Sequence, residues 1–241
     1  MTQLNLPQKV KNNLEDFTKR LKDVYKDGLV SVILYGSAAS GEFAAKHSNI
    51  NLLIVLRDTG LGNLTKIAKT INTPRFQTLN PFFFTEEYMA CSTDVFPIEF
   101  LDMKENYALI YGKDVLKNLH IDIKNLRFQC EHELKAKLIN IKRLYLRTRN
   151  ERELKNLMLQ SFTSVVHLLR NLIRLKGKVP SYSKDVLIKE ISKEFGIADS
   201  IFSKIYTAKK GNVRLSYKEA DALFCDFAKE LEKAVDIVDR L

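Results

Sequence analysis

The spacing of apolar residues in the first half of the chain predicts helices and strands in alternation. Apolar side chains recur every three or four positions over residues 7–26, which is typical of an amphipathic helix. Further helices are predicted over residues 38–45 and 60–72 and from Thr85. Runs rich in β-branched and aromatic residues predict four strands and a short edge strand, at Leu29–Tyr35, Ile50–Leu56, Thr78–Phe84, Phe96–Met103 and Tyr107–Tyr111. Because Ile50–Leu56 is apolar almost throughout, we expect a central strand buried on both faces.

The pattern changes near residue 120, and every later segment has the apolar spacing of a helix. Five helices are predicted, over about 124–148, 152–176, 183–195, 199–208 and 216–239. Gly177, Gly196 and Gly211 separate several of them. We therefore predict two domains, an α/β domain over residues 1–120 and an all-helical domain over residues 121–241.

The composition is that of a folded chain without membrane spans. Of the 241 residues, 45% are hydrophobic and 28% are charged, which is enough apolar material for one large core or two small ones. No apolar run approaches the roughly 18 residues that a transmembrane helix needs, and the first residues lack the regions of a secretion signal. The three cysteines have no CxxC spacing. We therefore expect a cytoplasmic protein without a disulfide framework or a zinc knuckle.

The excess of basic side chains is confined to one part of the predicted helical domain. The chain has a formal net charge of +10, which favours nucleic acid, nucleotides or other anions as partners. Residues 1–123 and 179–241 each balance their acidic and basic side chains, whereas residues 124–178 carry 14 basic and 4 acidic ones. Recognition of an anionic partner by charge is therefore predicted to belong to the first two helices of that domain.

A strand that ends in Gly-Ser, followed by a strand that opens with two asparagines, forms the candidate site. The first strand closes with Leu34-Tyr35-Gly36-Ser37, and after eleven intervening residues the second begins at Asn49-Ile50-Asn51. Side chains two positions apart lie on the same face of a strand, so Asn49 and Asn51 are expected to converge. The Gly-Ser turn supplies a backbone pocket of phosphate size beside them. The alternative interpretation of Gly36-Ser37 is an ordinary strand-to-helix turn.

This arrangement resembles the signature of the DNA polymerase β-like nucleotidyltransferase superfamily, in which apolar-Gly-Gly/Ser is followed by Asp-apolar-Asp/Glu. The order of the two halves is similar to that of the minimal and kanamycin-type members. The resemblance implies an α/β domain with a mixed sheet, followed by an all-α helical bundle. It also implies nucleotidyl transfer from a nucleoside triphosphate to a hydroxyl group of a small molecule, a protein or RNA.

The resemblance also assigns the site residues. It implies that Gly36 and Ser37 hold the nucleotide phosphates. Asn49 and Asn51 occupy positions where the family has ligands of two Mg²⁺ ions, and a third carboxylate follows on a later strand. Glu99 is the candidate for that third position, and Asp102 is its competitor.

The departure from the family pattern is the replacement of both aspartates by Asn49 and Asn51. Mg²⁺ prefers anionic oxygen ligands, and an amide oxygen adds no charge. We therefore expect Mg²⁺ binding and nucleotidyl transfer to be impaired or lost. Two alternatives stay open: an inactive module that binds a nucleotide, another anion or a regulatory partner, and a nucleic-acid-associated protein that acts through the basic helices. The acceptor, the nucleotide and the oligomeric state stay open as well.

A polar stripe interrupts the apolar pattern of the second predicted helix. His167, Arg170, Asn171 and Arg174 are spaced so that they share one face of that helix. Arg170 and Arg174 are predicted to bind the nucleotide phosphates. The alternative is the ordinary solvent face of an amphipathic helix.

A basic ridge is predicted on the preceding helix, formed by Lys124, Lys135, Lys142 and Arg149. Their separations return to nearly the same side of a helix. The ridge predicts either a solvated face or contact with the phosphates of RNA, DNA or another polyanion.

Overall fold

The computed structural model describes residues 6–40, 49–211 and 216–241, which separate into two compact units. The first, Met1–Asp122, is called the N-terminal unit, and the second, Ile123–Leu241, is called the helical unit. Within the described ranges, no helix is long and apolar enough to cross a membrane.

The N-terminal unit contains a four-stranded mixed sheet. Its strands are β1 (Leu29–Tyr35), β2 (Ile50–Leu56), β3 (Leu79–Phe84) and β4 (Tyr107–Gly112). They lie in the order β3-β2-β1-β4. β1 pairs antiparallel with both β2 and β4, whereas β2 and β3 run parallel. β2 is therefore an inner strand and β4 an edge strand, as the sequence predicts.

Helices pack against both faces of this sheet. In the described residues of the N-terminal unit they are α1 (Gln8–Tyr25), α2 (Ser37–Ser40), α3 (Leu61–Ile71), α4 (Glu86–Cys91) and α5 (Pro97–Glu105). Side chains of α1 and α3 pack on one face with Leu34 and Leu52, and side chains of α4 and α5 pack on the other with Ile33 and Leu53. The helix predicted over residues 38–45 is represented by α2, and residues 41–48 lie outside the described residues.

The prediction of a strand over Phe96–Met103 is wrong, because this segment forms the helix α5. Short apolar runs fit either type of structure, and here the local features at the start favour a helix. Pro97 occupies one of the first helical positions, where its missing N–H costs nothing, and Glu99 lies in the first turn, where the helix dipole favours an acid. Phe100 and Met103, three positions apart, then share the buried face of the helix.

The described residues of the helical unit form five helices: α6 (Ile123–Tyr145), α7 (Glu151–Leu175), α8 (Lys184–Phe195), α9 (Asp199–Lys209) and α10 (Tyr217–Arg240). Each agrees with a predicted helix to within a few residues at its ends. Aromatic rings of α7, α9 and α10 meet in the core, where Phe202 contacts both Phe162 and Phe227. A mixed sheet with helices, followed by helices alone, confirms the predicted fold class.

Candidate functional site

The turn after β1 places Gly36 directly against the side chain of Asn51. Gly36 has a positive φ of 76°, a backbone conformation that favours glycine. A Cβ atom at this position would lie 3.4 Å from Nδ2 of Asn51. Tyr35, the preceding residue, is the register partner of Asn51 on the antiparallel strand. The structure therefore brings together the Gly-Ser turn and the second asparagine of the motif.

A third asparagine, Asn80 on β3, lies beside Asn51. The two residues are register partners on parallel strands, and Nδ2 of Asn80 donates a hydrogen bond of 3.1 Å to Oδ1 of Asn51. Sequence reasoning missed Asn80. A signal was present, because Asn51 and Asn80 are each the second residue of a strand. The parallel pairing that brings them together is a long-range feature that the apolar pattern does not contain.

Backbone hydrogen bonds fix the turn that follows Gly36. The carbonyl oxygen of Gly36 accepts a bond of 3.0 Å from the backbone N–H of Ser40. Ser37 begins the short helix α2, and its carbonyl oxygen accepts a bond of 3.3 Å from Oγ of Ser40. Asn49 immediately precedes β2 and is exposed. The predicted phosphate-binding residues thus form a closed turn, and Asn49 lies at the start of the neighbouring strand.

Tyr35 lies on the buried side of this site. Its side chain shares one face of the sheet with Phe100 and Met103 of α5 and is 8% exposed. Burial raises the pKa of Tyr35 to about 12, and the negative charge of Asp102 adds to the rise. Tyr35 is therefore neutral at physiological pH. Asp102 on α5 is an acid whose charge acts on the strand that ends at Gly36.

Glu99 lies in the first turn of α5, not on a strand, and its side chain is exposed. The family pattern places the third carboxylate on a later strand. Asn80 on β3, a strand that follows β2 in the chain, lies next to Asn51. Glu99 and Asp102 both take part in interactions of their own. The predicted roles of Glu99, Asn49 and Asn51 as metal ligands and catalytic residues stay predictions.

The groups at this site do not fit Mg²⁺. Asn49, Asn51 and Asn80 supply neutral amides, and Oδ1 of Asn51 already accepts a bond from Asn80. Nowhere in the described ranges do three His, Cys, Asp or Glu side chains lie together as a metal site would require. Two opposite unit charges about 4 Å apart attract by about 4 kcal/mol at an effective dielectric constant near 20. The replacement of two carboxylates by the amides of Asn49 and Asn51 therefore removes much of the attraction for a dication.

The polar stripe of α7, in the helical unit, is only partly exposed. His167 is exposed, whereas Asn171 and Arg174 are buried, and Nη1 of Arg174 donates a bond of 2.5 Å to Oδ1 of Asn171. The guanidinium of Arg170 lies 4.4 Å from the ring centroid of Tyr182. Nε of Arg170 is buried and has no hydrogen-bond partner among the described residues. The interpretation as an ordinary solvent face is wrong, and nucleotide binding by Arg170 and Arg174 stays a prediction.

Two cations of the basic ridge, on α6, are paired with acids of the same unit. Lys135 contacts Glu131 at 2.7 Å and Asp239 at 2.8 Å, and Lys142 contacts Glu232 at 2.5 Å. The hydrogen bond to Asp239 raises the pKa of Lys135. These acids compensate part of the positive charge, which weakens the attraction of the ridge for a polyanion.

The chain has the fold of a nucleotidyltransferase with a C-terminal helical region. One solved structure that it resembles is that of spectinomycin adenyltransferase AAD(9) from Enterococcus faecialis, determined with ATP and spectinomycin. The match has a TM-score of 0.61 and covers 92% of this chain and 99% of that chain, at 11% sequence identity. At this identity the likeness establishes the fold alone. No protein-family model and no curated protein matches the chain.

Proposed function

We propose that this chain is a nucleotide-binding protein of the nucleotidyltransferase fold in which nucleotidyl transfer is impaired. The observation that carries the proposal is the contact between the Gly36 turn and Asn51, with Asn80 bonded to the other end of the Asn51 amide. In the family pattern the Gly-Ser turn holds the nucleotide phosphates, and a protein of the same fold was solved with ATP. The three amides lack the charge that would hold the metal ions on which transfer depends.

Replacing Gly36 with alanine is expected to weaken nucleotide binding by about tenfold or more. Alanine would have to adopt the positive φ of Gly36, at a cost of about 1–2 kcal/mol, with its Cβ in contact with the Asn51 amide. A loss of about 1.4 kcal/mol in binding free energy is a tenfold loss of affinity. Titration calorimetry with a nucleoside triphosphate should therefore detect the weaker binding of this variant.

Gly28→Ala is the matched control for that variant. Gly28 lies in the same unit, and a Cβ atom added there would meet no heavy atom within 4 Å. We expect Gly28→Ala to bind as the native chain does. Equal affinities of the Gly36→Ala and Gly28→Ala variants, each shown to be folded by circular dichroism, would contradict phosphate binding at this turn.

Nucleic-acid binding through the basic helices over residues 124–178 has less support. Acids of the helical unit pair with Lys135 and Lys142, two of the four cations that define the basic ridge. Contact of RNA, DNA or a protein partner with this surface stays a prediction, whose signature would be binding that weakens steeply with salt.

A further inference from the structure

We infer that the site holds the phosphates of its nucleotide without a divalent cation, through the side-chain amide of Asn51. This inference rests on the proposed function and specifies the form of the ligand, which is the metal-free polyphosphate anion. In the family pattern, the metal lies between the protein's carboxylates and the phosphates. Here the protein itself supplies the hydrogen-bond donor that faces the turn.

The two ends of the Asn51 amide face different neighbours. Oδ1 accepts the 3.1 Å bond from Asn80, so Nδ2 is the end that lies next to the Gly36 turn. An amide NH₂ group donates hydrogen bonds to phosphate oxygens. A carboxylate in its place would repel the same oxygens unless a cation lay between them. In this arrangement a donor lies on the side of the site that the phosphates would occupy.

Two other groups next to Asn51, Tyr35 and Asn49, are neutral. Tyr35 keeps its proton because burial and Asp102 raise its pKa to about 12. Asn49, two positions before Asn51, is a second neutral amide and is exposed. The negative charge of Asp102 on α5, which adds to the rise of the Tyr35 pKa, acts against an anion here. β2 and β3 thus contribute amides and no carboxylate to this part of the site.

Mg²⁺ is therefore expected to compete with the protein for the nucleotide. The ion takes oxygen ligands from the phosphates of a nucleoside triphosphate, and these are the atoms to which Asn51 would donate. β2 and β3 supply no carboxylate to hold the ion in return. We expect the affinity for ATP to be at least about tenfold higher in EDTA than in excess Mg²⁺.

The test is titration calorimetry of the full chain with ATP and with inorganic triphosphate, each in EDTA and in excess Mg²⁺. Asn51→Asp keeps the oxygen that accepts the bond from Asn80 but replaces the donor by a second oxygen. We expect it to bind at least about tenfold more weakly than the native chain in EDTA. The matched control is Asn12→Asp, an exposed position on α1 whose Oδ1 also accepts an amide bond, 2.9 Å from Nε2 of Gln8. It should bind as the native chain does.

The possible outcomes separate this inference from the proposed function. Tighter binding in EDTA, lost in Asn51→Asp and kept in Asn12→Asp, supports both. Binding that is equal or tighter in Mg²⁺ overturns the metal-free ligand and leaves the proposed function standing. Native-like binding by Asn51→Asp in EDTA overturns the role of the amide. Absence of binding by either probe in both conditions overturns the inference together with the proposed function. Thermal unfolding by circular dichroism shows whether each variant is folded.

Discussion

Replacing Asn49, Asn51 and Asn80 together with aspartate is expected to give a protein whose stability depends on Mg²⁺. The triple variant would place two carboxylates where Nδ2 of Asn80 now donates to Oδ1 of Asn51 at 3.1 Å. Without a metal these groups repel each other, and a bound dication would neutralise them. At an Mg²⁺ concentration about 100 times the dissociation constant the gain is about 2.7 kcal/mol, or about 5–10 °C in melting temperature.

The same variant should depend on pH when no metal is present. Repulsion raises the pKa of one carboxyl group above its unfolded value of about 4. Relative to the native chain, the variant is therefore least destabilised below about pH 4 and loses stability as the pH rises through the raised pKa. Mg²⁺ should remove this loss. Thermal unfolding at several pH values, in EDTA and in excess Mg²⁺, measures both effects.

A control with the same change of charge separates the site from the surface. It carries aspartate at Asn12, Asn118 and Asn156, three exposed positions, and its melting temperature should not respond to Mg²⁺. The melting temperature of the native chain should not respond to Mg²⁺ either. The native chain should also transfer no labelled nucleoside monophosphate above background. The triple variant would gain transfer if only the carboxylates had been lost. If Mg²⁺ stabilised the native chain as much as the triple variant, the conclusion that the amides do not fit the metal would be wrong.

Replacing Gly112 with alanine is expected to destabilise the N-terminal unit by about 3 kcal/mol or more. Gly112 ends the edge strand β4 with a φ of 83°, and a Cβ atom there would overlap the carbonyl oxygen of Val30 on β1. That oxygen accepts a hydrogen bond of 3.0 Å from the backbone N–H of Lys113, so it cannot move away without losing the bond. The positive φ costs about 1–2 kcal/mol and the overlap about 1–3 kcal/mol.

Gly196→Ala isolates the cost of the backbone conformation from that of the overlap. Gly196 has a φ of 66°, and an added Cβ would meet no heavy atom within 4 Å. Urea denaturation should therefore show a loss of only about 1–2 kcal/mol for this control. Equal losses for the Gly112→Ala and Gly196→Ala variants would contradict the close approach of β4 to β1.

The sequence predicts well the strands and helices that have a long and local pattern of apolar residues. β2 agrees with its prediction at both ends, Ile50–Leu56, because all but one of its residues are apolar and polar residues flank it. The five helices of the helical unit follow from repeated helical spacing. α5 is predicted wrongly because a run as short as Phe96–Met103 does not separate a helical period from a strand period. Pro97 was the local signal in favour of a helix.

The candidate site is only partly contained in the sequence pattern. The spacing of Gly36 and Asn51 predicts that they meet, because two consecutive strands commonly pair. Asn80 is missed because its contact with Asn51 depends on which strand pairs in parallel with β2. The burial of Arg174 is missed for a similar reason, since the helical period places it on a stripe but does not say which stripe packs inward. Long-range pairing and packing therefore decide the chemistry that local patterns only suggest.

The most direct test of the central claim is a nuclear magnetic resonance titration of the ¹⁵N-labelled chain with ATP in EDTA. The claim is that the phosphates bind at the turn after β1 and contact the Asn51 amide. We predict that the backbone N–H signal of Ser37 and the side-chain NH₂ signals of Asn51 shift together and saturate at one affinity. An absence of shifts at both residues, with shifts confined to the basic helices over residues 124–178, would contradict it.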